Sequence, residues 1–446
     1  MDVIYNMIQQ RNFLENIVDQ ALNLAHAYSN EVEVSIIKTT GITVSTRYEK
    51  LENVEFNSHN ILDITIFRQK RKGTALSSDL HEKAIISTIE AAANIACYTS
   101  PDPYSGIADK ELLAFNSMNL DLFHPIDLNT KLSAALASTA EKTALNHDNR
   151  IISTEGGKFN GYFTTKVFGN SHGMLQSYTS SQYSLCCSVI ASSNGIMEQN
   201  YAYTLSRSFN DLRSPEWVGQ ECAQRAVDHL HSKKIKTTES PVLFSAEIAT
   251  SLFHHLAEAI CGNNVYQKST FLLNYLKKKI FPSWMSIKER PHILKGLGSA
   301  PFDSEGVQTL NRTIVENGIL NSWILNSYSA RKIGLKTTGH ADGIYNWYIN
   351  YQNLSFIELI KNMHRGLIIT SVMGQGVNII TGNYSRGVSG FWVENGNIQY
   401  PVNEITIAGN LKEMFCNIVS IGCDTETRGH IYCGSVLISS MKIAGS

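Results

Sequence analysis

The sequence predicts an α+β protein of two domains. Residues 1–235 read as an N-terminal mixed α/β domain. Residues 236–446 read as a mostly antiparallel β domain, barrel-like or sandwich, with a helical pair at its start. Three observations carry this. The chain has 446 residues, more than one hydrophobic core ordinarily serves. Its first half alternates between helical and strand-like apolar periods. Its second half, after a helical opening, is a succession of short alternating runs joined by glycine turns.

The first helix is expected in "NFLENIVDQALNLAHAYS", where Phe13, Ile17, Ala21 and Leu24 fall on one face. "EVEVSIIKTTGITVSTRYEKLENVEFN" reads as strand, turn, strand, dense in Thr, Val and Ile. "LDITIFRQKRKGTALSS" reads as a hairpin with a basic turn from Gln69 to Gly73. A second helix follows, with Asp79 as N-cap and Glu82 completing a capping box; Pro101 and Pro103 stop it. A third lies in "NTKLSAALASTAEKTALNHD". Strands resume in "FTTKVFGNSHGMLQSYTSSQYSLCCSVIAS", where Gly169-Asn170 opens a turn, and a helix follows in "SPEWVGQECAQRAVDHLHS". The polar, basic segment "HSKKIKTTESP" places the domain boundary near Lys236. Beyond it, Ala246 to Cys261 is helical in rhythm, and "STFLLNYLKKKIF" completes the helical pair. Asn317-Gly318 and Asn395-Gly396 each suit a type I′ turn between alternating strands.

A net charge of −1 calls for neither nucleic acid nor an anionic membrane as partner. No apolar run is long enough to span a bilayer, and the N-terminus has no apolar signal-peptide core. The eight cysteines include no C-x-x-C pair, so reduced thiols and a cytoplasmic location are expected.

The chemistry-bearing stretch is "ATSLFHHLAEAICGNN". A zinc-peptidase helix places two His at i and i+4 on one face, with a Glu beside the first as general base. Here position i is His254, the base position is His255 and i+4 is Glu258. His254 and Glu258 can in principle grip one ion, yet no carboxylate base stands beside them. The simpler account is a His–Glu pair on one helical face, with His255 about 100° away on another.

Four other features have two readings each. Cys433 is a small core residue beside Gly434, or, with His430, a thiol nucleophile; in a strand their three-residue offset puts the two on opposite faces. His340 in "TTGHADG" is an exposed loop residue or lines a cleft. Arg68, Lys70, Arg71 and Lys72 are a solvated hairpin tip or a phosphate site. Asp303 to Gly306, "DSEG", is a turn before a strand or a cation site. No nucleophile elbow is present, because Asn383 stands two before the serine of "GNYSRG".

Long strings spread through the chain resemble the TldD/PmbA family of zinc peptidases over essentially its whole length. They include "KTTGITVSTRYEKLENVEFNS", "YTSPDPYSGIADKELLAF", "SYSARKIGLKTTGHADG" and "TGNYSRGVSGFWVENGNIQYPV". The resemblance implies two branches that pair with each other. The TldD branch carries H-E-x-x-x-H and a later Cys that completes a zinc site. On this sequence that motif falls on His254, His255, Leu256, Ala257, Glu258 and Ala259, and the later Cys on Cys433. The first ligand position and the Cys are thus retained as vestiges, with Glu258 a weak substitute. Ala259 replaces the second ligand and His255 the base. A methyl group cannot bind metal, and an imidazole does not strip a proton from zinc-bound water as a carboxylate does.

The resemblance therefore implies a PmbA-branch subunit with no catalytic residue and no metal of its own. Zinc would sit in a TldD-type partner subunit of a heteromer, with a homodimer possible in isolation. The substrate would be a small, flexible peptide. Two alternatives remain: an autonomous metallopeptidase using His254, Glu258 and Cys433, and a non-proteolytic binding and regulatory module.

Overall fold

The computed structural model describes residues 3–445. In the first half, α1 (Val3–Ala25) leads into β1 (Glu31–Arg47), β2 (Lys50–Arg68) and β3 (Arg71–Ser77). Then come α2 (Glu82–Tyr98), α3 (Thr130–Leu145), β4 (Ile151–Asn170), β5 (Met174–Ser193), β6 (Ile196–Ser206) and α4 (Pro215–Asp228). The six strands form one antiparallel sheet in the order β3-β2-β1-β4-β5-β6. Strand alternation divides its residues. Val32, Val34 and Ile36 of β1 and Leu62, Ile64 and Ile66 of β2 pack with Ile17, Val18, Ala21, Ile85 and Ile89 of α1 and α2. Their neighbours Glu33, Ser35, Asp63 and Thr65 instead line a cavity shared with Ser304 and Glu305 of the second half. A second core lies under α3 and α4, built on Ala140, Phe159, Leu185, Val218 and Cys222.

The second half runs β7 (Thr238–Phe244), α5 (Ala246–Ala259), α6 (Gly262–Tyr266), β8 (Ile287–Glu289), β9 (Arg312–Glu316) and β10 (Ile319–Leu320). It continues with α7 (Ser327–Lys332), β11 (Trp347–Ile349), α8 (Phe356–Met363), β12 (Gly366–Met373), β13 (Asn383–Glu394) and β14 (Asn397–Asn410). It ends with α9 (Leu411–Cys416), β15 (Ile418–Ile421), β16 (Ile431–Tyr432) and β17 (Val436–Ala444). Strands β14, β13, β12, β7 and β17 pair in turn, and β17 pairs back onto β14, closing a five-stranded barrel. Strand β15 joins β17 outside the ring, and β7–β12 is the ring's parallel pair. The remaining strands make a sheet in the order β10-β9-β8-β11-β16. The fold is thus α+β, and its C-terminal β part is a barrel, not a sandwich. Closure leaves the five-stranded ring itself without an open edge. It also forces close approaches: a Cβ on Gly390 would lie 1.8 Å from the Ile368 carbonyl across β12–β13. Asn395 and Gly396 join β13 to β14 with φ of 51° and 69°, the left-handed pair a type I′ turn needs.

Several elements depart from sequence expectation. Phe13 is 57% exposed, because α1 buries Leu14, Ile17, Val18, Ala21 and Leu22. Helix α2 starts at Glu82 with His81 as N-cap and no capping box. Asp79 already accepts the His81 N–H at 2.9 Å in a local turn, so it cannot cap. The basic turn is only Gln69 and Lys70, at φ of 52° and 64°; Arg71 to Gly73 belong to β3. The basic linker ends early, since Thr238 to Pro241 are already in β7.

Residues 269–281 are not helical, so the helical pair is α5 with the short α6. Tertiary bonds take the backbone there. The N–H groups of Phe271, Lys277 and Ile280 donate to Ile379, Leu320 and Gly318. The Thr270 hydroxyl accepts from Leu272 N–H and donates to the Ala259 carbonyl. Among the described residues, no helix is long and apolar enough to cross a membrane.

Candidate functional site

Helix α5 follows β7 directly and packs one face into the barrel core through Ala249, Leu252, Phe253, Leu256, Ala257 and Ala259. That stripe decides what its chemistry-bearing residues can do. His254 and Glu258, one turn apart, stay on the exposed side. Yet among the described residues they make no hydrogen bond or ion pair with each other. His254 turns to His430 instead, ring centroids 5.0 Å apart at 82°. Packing against the protein, then the neighbouring His430 imidazole, pushes the His254 pKa down to about 4. His430 is lowered too, by desolvation. Its carbonyl accepts the Trp347 N–H at 2.8 Å, which ties it to β11 just ahead of β16. Both rings are therefore neutral at ordinary pH.

His255, at the position a general base would hold, points elsewhere. Its ring meets Tyr384 of β13 edge-on at 6.1 Å, and its buried Nε2 has no hydrogen-bond partner. Burial first, then Arg386 and His254, hold its pKa at about 4. Ala259, at the second ligand position, is fully buried. Cys433 is fully buried as well, and its thiol donates to the Gly434 carbonyl at 3.1 Å. Burial and then Asp424 drive that thiol well above its ordinary pKa. A zinc ion needs deprotonated or neutral donors converging on one point. Among the described residues, no three His, Cys, Asp or Glu side chains do so. The donor set at α5 does not fit zinc: His254 with His430 facing it, Glu258 exposed and meeting neither, a methyl at Ala259 and the sealed Cys433 thiol do not converge on one point.

The other sequence candidates resolve differently. His340 is not an exposed loop residue: it is 7% exposed, held between the Thr338 hydroxyl at 2.8 Å and Glu289 at 2.7 Å. Asp303 is fully buried, and its carboxylate accepts the N–H groups of Glu305, Val307 and Ala341, so "DSEG" is a turn. The basic run is tethered, not simply solvated. Arg71 donates to the Cys97 carbonyl at 2.8 Å and Lys70 to the Ser105 carbonyl at 3.3 Å.

Sequence reasoning missed two charged constellations. Glu289 is buried and accepts from Tyr345 N–H and the Trp347 indole while meeting His340. Arg428 pairs with Glu247 and Glu426, donates to the Tyr203 carbonyl, and lies over the Tyr203 ring at 4.3 Å. These contacts join residues distant in sequence, so no local pattern announces them.

Residues 32–96 match the PmbA/TldA metallopeptidase domain 1, residues 123–230 the central domain and residues 237–445 the C-terminal domain. The chain is 58% identical over 445 residues to Metalloprotease PmbA of Escherichia coli O157:H7, covering 100% of this chain and 99% of that protein. It is 49% identical to a Metalloprotease PmbA homolog of Haemophilus influenzae, over 98% of this chain and 97% of that one. A Metalloprotease TldD homolog of Buchnera aphidicola is 22% identical, over 67% and 66%. Two solved structures share the fold. One is a Bacteroides thetaiotaomicron protein with TM-score 0.91 at 24% identity, covering 97% of this chain and 98% of that one. The other is TldE from Thermococcus kodakarensis, with TM-score 0.82 at 19% identity, covering 96% and 100%.

Proposed function

The chain belongs to the PmbA/TldA metallopeptidase family, and from that premise we propose that it is the non-catalytic subunit of a cytoplasmic, TldD-type peptidase heteromer. Zinc and hydrolysis reside on the TldD-type partner. This chain, with its 1–235 and 236–446 units, shapes the chamber in which a small, flexible peptide is held; without its partner it can pair with itself. The observation that carries the reading is Ala259, whose methyl group lies fully buried in the core where a second metal ligand would stand. His255 supports it by facing Tyr384 with a neutral ring, and Cys433 by its sealed thiol.

An extended peptide is best gripped by backbone pairing at a sheet edge. Strand β3 covers β2 only from Leu62 to Arg68, so among the described residues the outer side of Lys50 to Ile61 has no strand neighbour. Phe56 on that stretch is 74% exposed.

The test is reconstitution with a flexible peptide substrate. This chain alone is expected to give no turnover, and the complex with a TldD-type partner to be active. Mutating the partner's H-E-x-x-x-H should abolish activity, whereas His254→Ala here should leave it largely intact. Turnover by the isolated chain that disappears in His254→Ala would favour an autonomous enzyme instead.

A further inference from the structure

A cavity of about 470 Å³ lies between the N-terminal sheet and the second half of the chain. Its floor is the sheet face opposite α1 and α2, formed by Glu33 and Ser35 of β1, Asp63, Thr65 and Phe67 of β2, and Phe168 of β4. Its roof comes from the Tyr104–Gly106 loop, Glu305 and Tyr328. The size is that of a small-molecule site.

Its electrostatics are one-sided. Three carboxylates, Glu33, Asp63 and Glu305, line the space, against one lysine, Lys72. Asp63 accepts from the Thr65 hydroxyl at 3.5 Å, and Glu305 accepts the Ser327 N–H at 2.8 Å. Glu33 has no such partner: among the described residues no hydrogen bond or ion pair reaches its carboxyl. Glu33 is half-buried, and burial first, then the like charge of Glu305, Asp303 and Asp63, raises its carboxyl well above the usual carboxylate range, with Lys72 only partly offsetting them. Lys72 forms no ion pair with any of the three; its ammonium lies 5.9 Å from the Phe67 ring. A carboxyl left unpaired in this way stays protonated unless something cationic meets it and stabilises its charged form.

The walls indicate which cation. The carboxylates do not converge tightly enough to hold a metal ion, since no cluster of three donors forms among the described residues. They are spaced around a cavity that also offers Phe67, Phe168, Tyr104 and Tyr328. Carboxylates plus aromatic faces suit an ammonium group on an aliphatic stem. The rim already holds one: the Lys332 ammonium sits 4.5 Å from the Tyr104 ring centroid, 5.2 Å from that of Tyr328, and 3.1 Å from Asp102.

We propose that this cavity binds a primary alkylammonium, its charge paired with Glu33 and its stem lying against Phe67 and Phe168. The chemistry is shared by a free aliphatic diamine and by the lysine side chain of a peptide. Its lining includes none of His254, His255, His430 or Cys433, so the proposal stands or falls separately from the peptidase-subunit reading.

Calorimetric titration of the full chain with 1,4-diaminobutane and with a capped tripeptide containing one lysine tests it, with 1,4-butanediol as the uncharged control. Saturable one-to-one binding of either amine, and none of the diol, is expected. The tighter of the two identifies the source. Glu33→Gln removes a charge-assisted contact and should weaken binding by about tenfold or more. Because it also relieves like-charge repulsion, its melting temperature should not fall. Asp63→Asn should weaken binding in the same direction, and Lys72→Met should tighten it. Failure of both amines to bind, or unchanged affinity in both Glu33→Gln and Asp63→Asn, overturns the assignment.

Discussion

His255 carries two costs at once: a buried ring nitrogen without a partner, and a pKa held at about 4 beside Arg386. Its ordinary value is 6.5, so between pH 6.5 and about 4 the unfolded chain binds more protons at this position than the folded one. The stability it contributes is present in full above 6.5 and is lost as pH falls toward 4. His254, also held at about 4, acts in the same sense. Asp303, pushed up to about 7 mainly by burial, acts in the opposite sense between 3.8 and 7, because there the folded state holds the extra proton. The informative quantity is therefore a difference between variants. His255→Phe should be as stable as the parent, or up to about 1 kcal/mol more stable, near neutral pH, because it removes an unsatisfied polar atom. It should lose less stability than the parent on acidification to about pH 5. Urea unfolding at the two pH values measures both effects; a steeper acid loss in the variant would contradict the assignment.

At the scale of elements, α5 sets what position 259 can hold. Its apolar stripe includes position 259, so a ligand there must displace core. Ala259→His should cost about 1–3 kcal/mol through overpacking and still bind no zinc, because Cys433 stays sealed. Urea unfolding and elemental analysis of the variant check the two halves of that statement. The element pattern was largely legible in the sequence where local chemistry decides it. The Asn395-Gly396 turn sits where composition places it, and α3 and α4 fall within the stretches whose rhythm places them. It was illegible where tertiary bonding overrides rhythm, as at residues 269–281, whose amides reach out to Ile379 and to the Gly318–Leu320 hairpin. At the site, the spacing of His254 and Glu258 was readable, but the turn of His254 toward His430 was not. Those residues meet only because β16 returns alongside β11, near α5.

At the scale of the whole molecule, the two halves are fastened by part-buried polar contacts and a buried apolar cluster as well as by the chain between them. Arg331 of α7 donates to the carbonyls of Tyr104, Gly106 and Ile107 and pairs with Asp109 at 3.2 Å. Lys166 of β4 meets Asp342 at 2.7 Å, and Phe168 packs with Phe302 and Val307. Arg331→Ala should therefore cost about 2 kcal/mol, the scale of lost charge-assisted hydrogen bonds, when measured by denaturant unfolding. A loss near zero would mean that the joint does not depend on this guanidinium. This fastening holds the α5 face and the open stretch of β2 in fixed relation.

On the proposed reading, this chain keeps the family's fold while its α5 grips no metal. The most direct measurement is elemental analysis of the purified, partner-free chain, with a TldD-type subunit carrying an intact H-E-x-x-x-H prepared alongside. About one zinc per chain is expected in that subunit and far less than one here, unchanged by His254→Ala. Stoichiometric zinc in this chain, lost in His254→Ala, would contradict it.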